Sequence, residues 1–311
     1  MATFAVAGLY ALETHLNISG FPLNYTPVCY PNHGIMQSHA GAGYVLSVAL
    51  TRLGNTVRFA SFVGSDEVAL NARHALAAEN ISDFGVIPLP GGSAQKIVLT
   101  APDGAQQTHW DLKEIGKAIY PEGLWPDIIG EVDAVIVGKP NFARAVLEYA
   151  HGQLVATDLD ALNHFSAPYE QDFLARSDIV FISNKALPMS PEASIQALYT
   201  RYQTSIIVIT LGAEGLVFSE QGGVPIILPS RLQRPVVSAL GAGDALFAAF
   251  MDQYLRSGDL RRSLINAQAY AGWKIGEQGA TNGLLDQAQF ATLLEHDVFD
   301  IDASKHAPGK S

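Results

Sequence analysis

Cysteine is almost missing: Cys29 is the only one in 311 residues. No intrachain disulfide can form, and no cysteine cluster can hold a metal. Such a residue is expected to be a small apolar filler. Positive charge is scarce too. The chain carries 19 Lys and Arg against 30 Asp and Glu, a net charge of −11, with no basic run. A nucleic-acid partner, which needs a cationic field to displace counterions, is not expected. An anionic substrate would have to be held by local dipoles and a few placed cations. No apolar run reaches the ~20 residues needed to span a bilayer, so no membrane partner is expected. The first residues lack a basic region and meet Glu13 early, unlike a signal peptide. The reading is a cytoplasmic protein. Three catalytic signatures are also missing. There is no Gly-x-x-x-x-Gly-Lys-Ser/Thr loop, no Gly-x-Ser-x-Gly elbow, and no helical His-x-x-x-His metal pair.

What is present suits a buried core. Hydrophobic residues make up 48% and charged residues 16%, outside the range of a disordered chain. Short runs rich in Val, Ile and Phe at 4–8, 57–63, 134–137, 154–158, 179–182 and 206–210 predict strands covered on both faces. Helices are predicted at 43–53, 67–79, 142–151, 191–202, 242–256 and 260–277. This alternation predicts an α/β fold with a mostly parallel, Rossmann-like sheet and helices on both faces. Residues 10–37 and 92–110 break the rhythm and read as extended segments, enough for a small β-sheet lid. The expectation is one domain over residues 1–311 carrying that lid, with a polar, frayed tail from Asp302.

Ligands of open α/β sheets bind at the carboxyl ends of the strands. The most informative loop is Gly241-Ala242-Gly243-Asp244, followed at once by an apolar helix pattern. Its backbone N–H groups would lie at a helix N-terminus, where unpaired donors and the dipole favour an anion. Asp244, in the first turn, could take a proton from a hydroxyl attacking a bound phosphate. It could equally serve only the helix dipole.

The stretch 237–250 resembles the second signature of the ribokinase-like (PfkB) carbohydrate kinases, Asp-Thr-x-Gly-Ala-Gly-Asp before a helix. Other matches follow in order. Ala40-Gly41-Ala42-Gly43 is similar to the first glycine motif, and Phe62-Val63-Gly64-Ser65-Asp66 to the Val-Gly-x-Asp turn. Thr210-Leu211-Gly212-Ala213-Glu214-Gly215 matches the Thr-x-Gly-x-x-Gly loop, and 266–280 resembles the late helix ending in Gly-Ala. The resemblance implies a Rossmann-like core with a β lid and phosphoryl transfer from ATP, with Mg²⁺, to a hydroxyl of a sugar or sugar-like molecule. It implies Asp244 as base and the N–H groups of Gly241, Ala242 and Gly243 as anion hole. It implies Asn184, Thr210, Gly212, Gly215 and Asn266 at the nucleotide, and Glu13, Gly41 and Gly43 at the substrate. His39, just before the first glycine motif, and His109, at the end of the lid segment, could each donate to a substrate oxygen or be a surface or packed histidine.

The chain departs from the family at four places. Ser238-Ala239 replaces Asp-Thr, and Ser238 is a poorer cation ligand, which puts potassium activation in question. Asn184-Lys185-Ala186-Leu187 lacks the Glu of Asn-x-x-Glu, leaving Mg²⁺ to ride mainly on ATP, helped by Asn184, Asp158 or Asp160. In the first glycine motif Ala40 replaces a Gly, and Val45 stands at the sugar-contacting Asn. Glu13 replaces an Asp. Two other readings remain: a nucleoside kinase, for pseudouridine or inosine, and a non-catalytic nucleotide or metabolite sensor. Apolar lid residues Phe21, Val28, Ile35 and Val98 also allow a lid-to-lid homodimer.

Overall fold

The computed structural model describes residues 1–31 and 34–296. The predicted frayed tail lies outside them. Among the described residues the strands are β1 Thr3–Ala7, β2 Ala11–Asn17, β3 Ile35–Ala40, β4 Thr56–Val63, β5 Val86–Pro88, β6 Gln95–Thr100, β7 Gln106–Asp111, β8 Ala134–Val137, β9 Leu154–Ala161, β10 Ile179–Ser183, β11 Ile206–Thr210, β12 Gly215–Glu220 and β13 Ile226–Pro229. The α-helices are α1 Ala42–Arg52, α2 Glu67–Ala78, α3 Trp125–Ile129, α4 Asn141–Arg144, α5 Gln171–Arg176, α6 Pro191–Arg201, α7 Ala242–Ser257, α8 Leu260–Lys274 and α9 Gln287–His296.

Nine strands form the main sheet in the order β13-β12-β11-β10-β9-β8-β1-β4-β5. Pairing is parallel from β11 to β5 and antiparallel through β12 and β13 at one edge. Successive strand residues feed opposite layers. Phe4, Phe59, Ile136, Phe181 and Val208 pack with α1, α7 and α8. Their neighbours Ala5, Ala60, Val137, Val180 and Ile207 pack with α3, α4, α5 and α6. Both faces are dry, so these strands read as unbroken apolar runs.

Helix starts follow their caps. Asp66 accepts from the Ala69 N–H (3.0 Å) to open α2, and Ser190 caps α6 with Pro191 next. The first glycine motif is a packing device as well as a loop. A Cβ on Gly43 would stand 2.5 Å from the Gly8 carbonyl carbon, so glycine lets α1 lie against the end of β1.

The second sheet, β3-β2-β6-β7, is the lid. Its strands come from the two segments that broke the strand–helix rhythm. The segment from 142 to 151 forms α4 and then a 3-10 turn, Ala145–Glu148, instead of one helix. Cys29 is exposed, not a buried filler. No described helix is long and apolar enough to cross a membrane.

Candidate active site

Between the lid and the carboxyl ends of β1, β8 and β9 lies a cavity of about 680 Å³. Gly241, Gly243 and Asp244 line it from the start of α7, and Gly41, Val45 and Leu46 from α1 and the loop before it. Lys139 and Asn141 follow β8, Asp158 and Asp160 end β9, and Lys96 and Trp110 reach in from the lid.

The glycine loop makes a turn that leaves donors free. Gly241 is left-handed, with φ 71°. The Ala242 N–H closes the turn on the Ala239 carbonyl (3.1 Å), and the first helical bond runs from the Ala245 N–H to the Gly241 carbonyl (2.9 Å). The amides of Gly243 and Asp244 precede that bond, where a helix leaves its N–H groups without intrahelical partners. A Cβ on Gly243 would meet nothing within 4 Å beyond its own turn of helix, and Gly243 lines the cavity.

The Asp244 carboxyl is partly open to the cavity and otherwise ringed by protein. Burial pushes its pKa up to about 6; Lys96 and Lys274 draw it down, and Asp160 and Glu13 push it up. Burial also lifts Asp158 to about 7. The Asp160 N–H it accepts (2.9 Å) opposes this, and the charges of Asp244 and Asp160 reinforce it. Two carboxyl groups that titrate near neutrality thus share one wall.

Strand pairing decides what the lid presents. Ser38, Glu13, Lys96 and Trp110 form one row across all four lid strands, and the row is bonded throughout. The Ser38 hydroxyl donates to Glu13 Oε1 (3.5 Å), Lys96 Nζ lies 2.5 Å from Glu13 Oε2, and Lys96 stands 5.1 Å above the Trp110 ring. Glu13 is completely buried and does not line the cavity; it holds Lys96, which does.

His39 and His109 are at the opposite parity. His39 bonds the Tyr10 hydroxyl (2.7 Å) and borders a separate depression with Val68, Asn71 and His74 of α2. His109 is exposed on β7. Neither lines the cavity.

Of the residues expected at a nucleotide, Asn184, Thr210, Gly212 and Gly215 extend along the same sheet edge, beyond the cavity. Asn184 follows β10, and Thr210 ends β11 with its hydroxyl donating to the Ile182 carbonyl (3.4 Å). Gly212 turns at φ 62° with open space beside it. Gly215 is needed for packing, since a Cβ there would meet the Leu228 carbonyl at 2.1 Å. Asn266, on α8, donates to Gln253 Oε1 (2.9 Å).

Sequence reasoning missed Lys96, Trp110 and Lys139. Lys96 had a signal, a lone cation inside the strand run Gln95-Lys96-Ile97-Val98-Leu99. Among the described residues, no group of three or more His, Cys, Asp or Glu is arranged to hold a metal ion.

A family model described as pfkB family carbohydrate kinase matches residues 29–287. The ATP-dependent ribose-1-phosphate kinase of Halopiger xanaduensis is 25% identical over 262 residues, covering 83% of this chain and 88% of its own. The solved structure of a microbiome-derived acarbose kinase matches with TM-score 0.83 at 24% identity, over 94% of this chain and 99% of its own. Arabidopsis thaliana ribokinase, complexed with ribose and ATP, matches with TM-score 0.76 at 17% identity, over 94% and 99%.

Proposed function

The chain belongs to the pfkB family of carbohydrate kinases, and on that premise we propose that it transfers the γ-phosphate of ATP to a hydroxyl of a sugar or sugar-like molecule. The observation that carries this reading is Asp244 at the start of α7, facing the cavity beside Gly243, whose amide precedes the first intrahelical bond. The acceptor hydroxyl lies against Asp244, which takes its proton as the oxygen attacks the γ-phosphorus. Negative charge growing on the transferred group is met by the Gly243 amide and the N-terminal dipole of α7. The Ala242 amide, expected in the same role, is held by Ala239 in the turn. Gly241 supplies the turn that aims the others. Thr210, Gly212 and Asn184 extend the site along the sheet edge toward the nucleotide.

The carboxylates fit a Mg²⁺ ion shared with phosphates and do not fit a cage made by protein alone. Asp158 and Asp160 face the cavity, and one or two carboxylates suffice when phosphates complete the shell. When bound, the ion would neutralise phosphate charge.

The acceptor end has a mixed wall. Trp110 and Tyr169 are aromatic, Val45 and Leu46 are apolar, and Lys96, Lys139 and Asn141 offer donors. The aromatic residues among the lining also suit a nucleoside base. A panel of sugars and nucleosides, read by ADP release and product mass, tests the proposal. Phosphorylation of a free sugar supports it, nucleosides alone shift it to the second reading, and nucleotide binding without transfer on any acceptor overturns it.

A further inference from the structure

Lys274, the last residue of α8, has no exposed surface. An ammonium so placed is strongly unfavourable unless its donors are satisfied. Here they meet main-chain oxygens from two different stretches: Nζ donates to the carbonyl of Leu240 and to that of Gly279 (2.7 Å).

Both stretches grip the glycine loop. Leu240 immediately precedes Gly241. Gly279 precedes Ala280, which lines the cavity and packs so tightly on Gly241 that a Cβ there would meet the Ala280 carbonyl at 2.5 Å. The chain just past α8 clamps the same loop from below, with the Val237 and Ser238 N–H groups donating to the Ile275 carbonyl (2.8 and 2.9 Å).

The charged groups around the ammonium come from several elements. Asp244 and Glu13 are attracted to it from α7 and the lid, and Glu277 from its own turn; Arg234 opposes it. Burial pushes its pKa down to about 8, so it remains charged at neutral pH. Ser238 spends its hydroxyl oxygen on the Leu240 N–H (3.3 Å) and brings no carboxylate to the loop.

Main-chain oxygens converging on one buried positive charge form the kind of coordination that a free monovalent cation would accept. We propose that Lys274 is a tethered monovalent cation, a positioning residue that fixes the Gly241–Asp244 loop and relieves the need for a free K⁺ ion. Its catalytic half rests on the phosphoryl-transfer reading above; its structural half does not.

The test therefore has two readouts. Melting temperature and turnover of the parent are measured in K⁺, Na⁺, Li⁺ and tetramethylammonium chlorides at equal ionic strength. Both are expected to agree across the salts, turnover to within about twofold. A parent stabilised or activated by K⁺ over Li⁺ overturns the proposal, and this arm needs no variant. Lys274→Ala is expected to lose about 10²-fold in kcat, the scale of a catalytic loop misplaced by about 1 Å, with KM for ATP nearly unchanged. K⁺ or methylammonium should restore at least about tenfold of that loss and raise the variant's melting temperature, as binding to the folded state requires. Lack of rescue in both readouts overturns the proposal. The melting arm needs no acceptor, so a failed acceptor panel sinks the kinase reading without deciding this one.

Discussion

Replacing Asp244 by Asn should stabilise the fold while abolishing transfer. In the unfolded chain this carboxyl loses its proton near the ordinary 3.8; in the folded chain it does so near 6. Between those values the folded state binds the extra proton, so stability falls as pH rises through the window and levels off above it. The shift corresponds to about 3 kcal/mol at pH 8. Solvent reaching the partly open carboxyl reduces the expected gain from Asn to about 2 kcal/mol. With an unfolding entropy of about 2.1 cal/mol/K per residue, that is roughly 3 °C in melting temperature. At pH 5, where the parent is mostly protonated, about half of the gain remains. Melts of parent and variant at both pH values, beside ADP release on an accepted substrate, check the arithmetic. An Asn variant that melts at or below the parent at pH 8 refutes the buried-charge argument. Near-normal turnover refutes the role of base.

Three further outcomes follow from the geometry. Parent turnover should rise with pH around a midpoint near 6, with about one-tenth of the plateau left at pH 5; a pH–rate profile centred near 4 would contradict it. The methyl group of Gly243→Ala meets no neighbouring side chain or segment, so urea melts should change by less than about 1 kcal/mol, while turnover drops because that methyl projects from a residue lining the cavity where substrate must sit. Gly241→Ala, at φ 71° and 2.5 Å from the Ala280 carbonyl, should instead destabilise the fold by more than about 1 kcal/mol; equal effects at the two glycines would be inconsistent with the loop geometry. Phe21, Val28 and Ile35 are 38%, 60% and 63% exposed on the lid. Light scattering should therefore report a dimer that Val28→Asp separates, and a parent that is monomeric at all concentrations would remove the proposed lid contact.

The main sheet was legible because its strands are buried on both faces and leave no alternative to a continuous apolar run. The edge pair β12 and β13 escaped notice for different reasons. β13 exposes Ile226 and Ile227, and β12 begins in the glycine turn that drew attention to itself. The glycine loop was legible through its spacing, whereas the choice among its amides was not. Only the turn geometry shows that the Ala242 N–H is taken by Ala239. The lid was legible as extended chain, but alternation alone cannot say which parity faces inward. Pairing Glu13 with Lys96 fixes it. That places His39 and His109 outside the cavity and brings in Lys96 and Trp110. Val98, read as part of an apolar lid surface, is fully buried, while Phe21, Val28 and Ile35 remain exposed.

The parallel pairing of β2 with β6 has a kinetic consequence. Leu12 meets Gln95, a separation of 95 − 12 = 83 residues, and β1, α1, β4 and β5 have one another as partners within or around that interval. Closing so long a loop costs about 4 kcal/mol of chain entropy if nothing in between is ordered, and far less once the intervening half of the sheet has formed. The lid should therefore assemble after that half, as a late step on a finished platform, and an excised lid would have no route to its own central pairing. Asp66 ties the two events together. The carboxylate that opens α2 also accepts from the Ser93 N–H and hydroxyl, both at 2.7 Å, so the residue that starts a core helix also anchors the entry of β6.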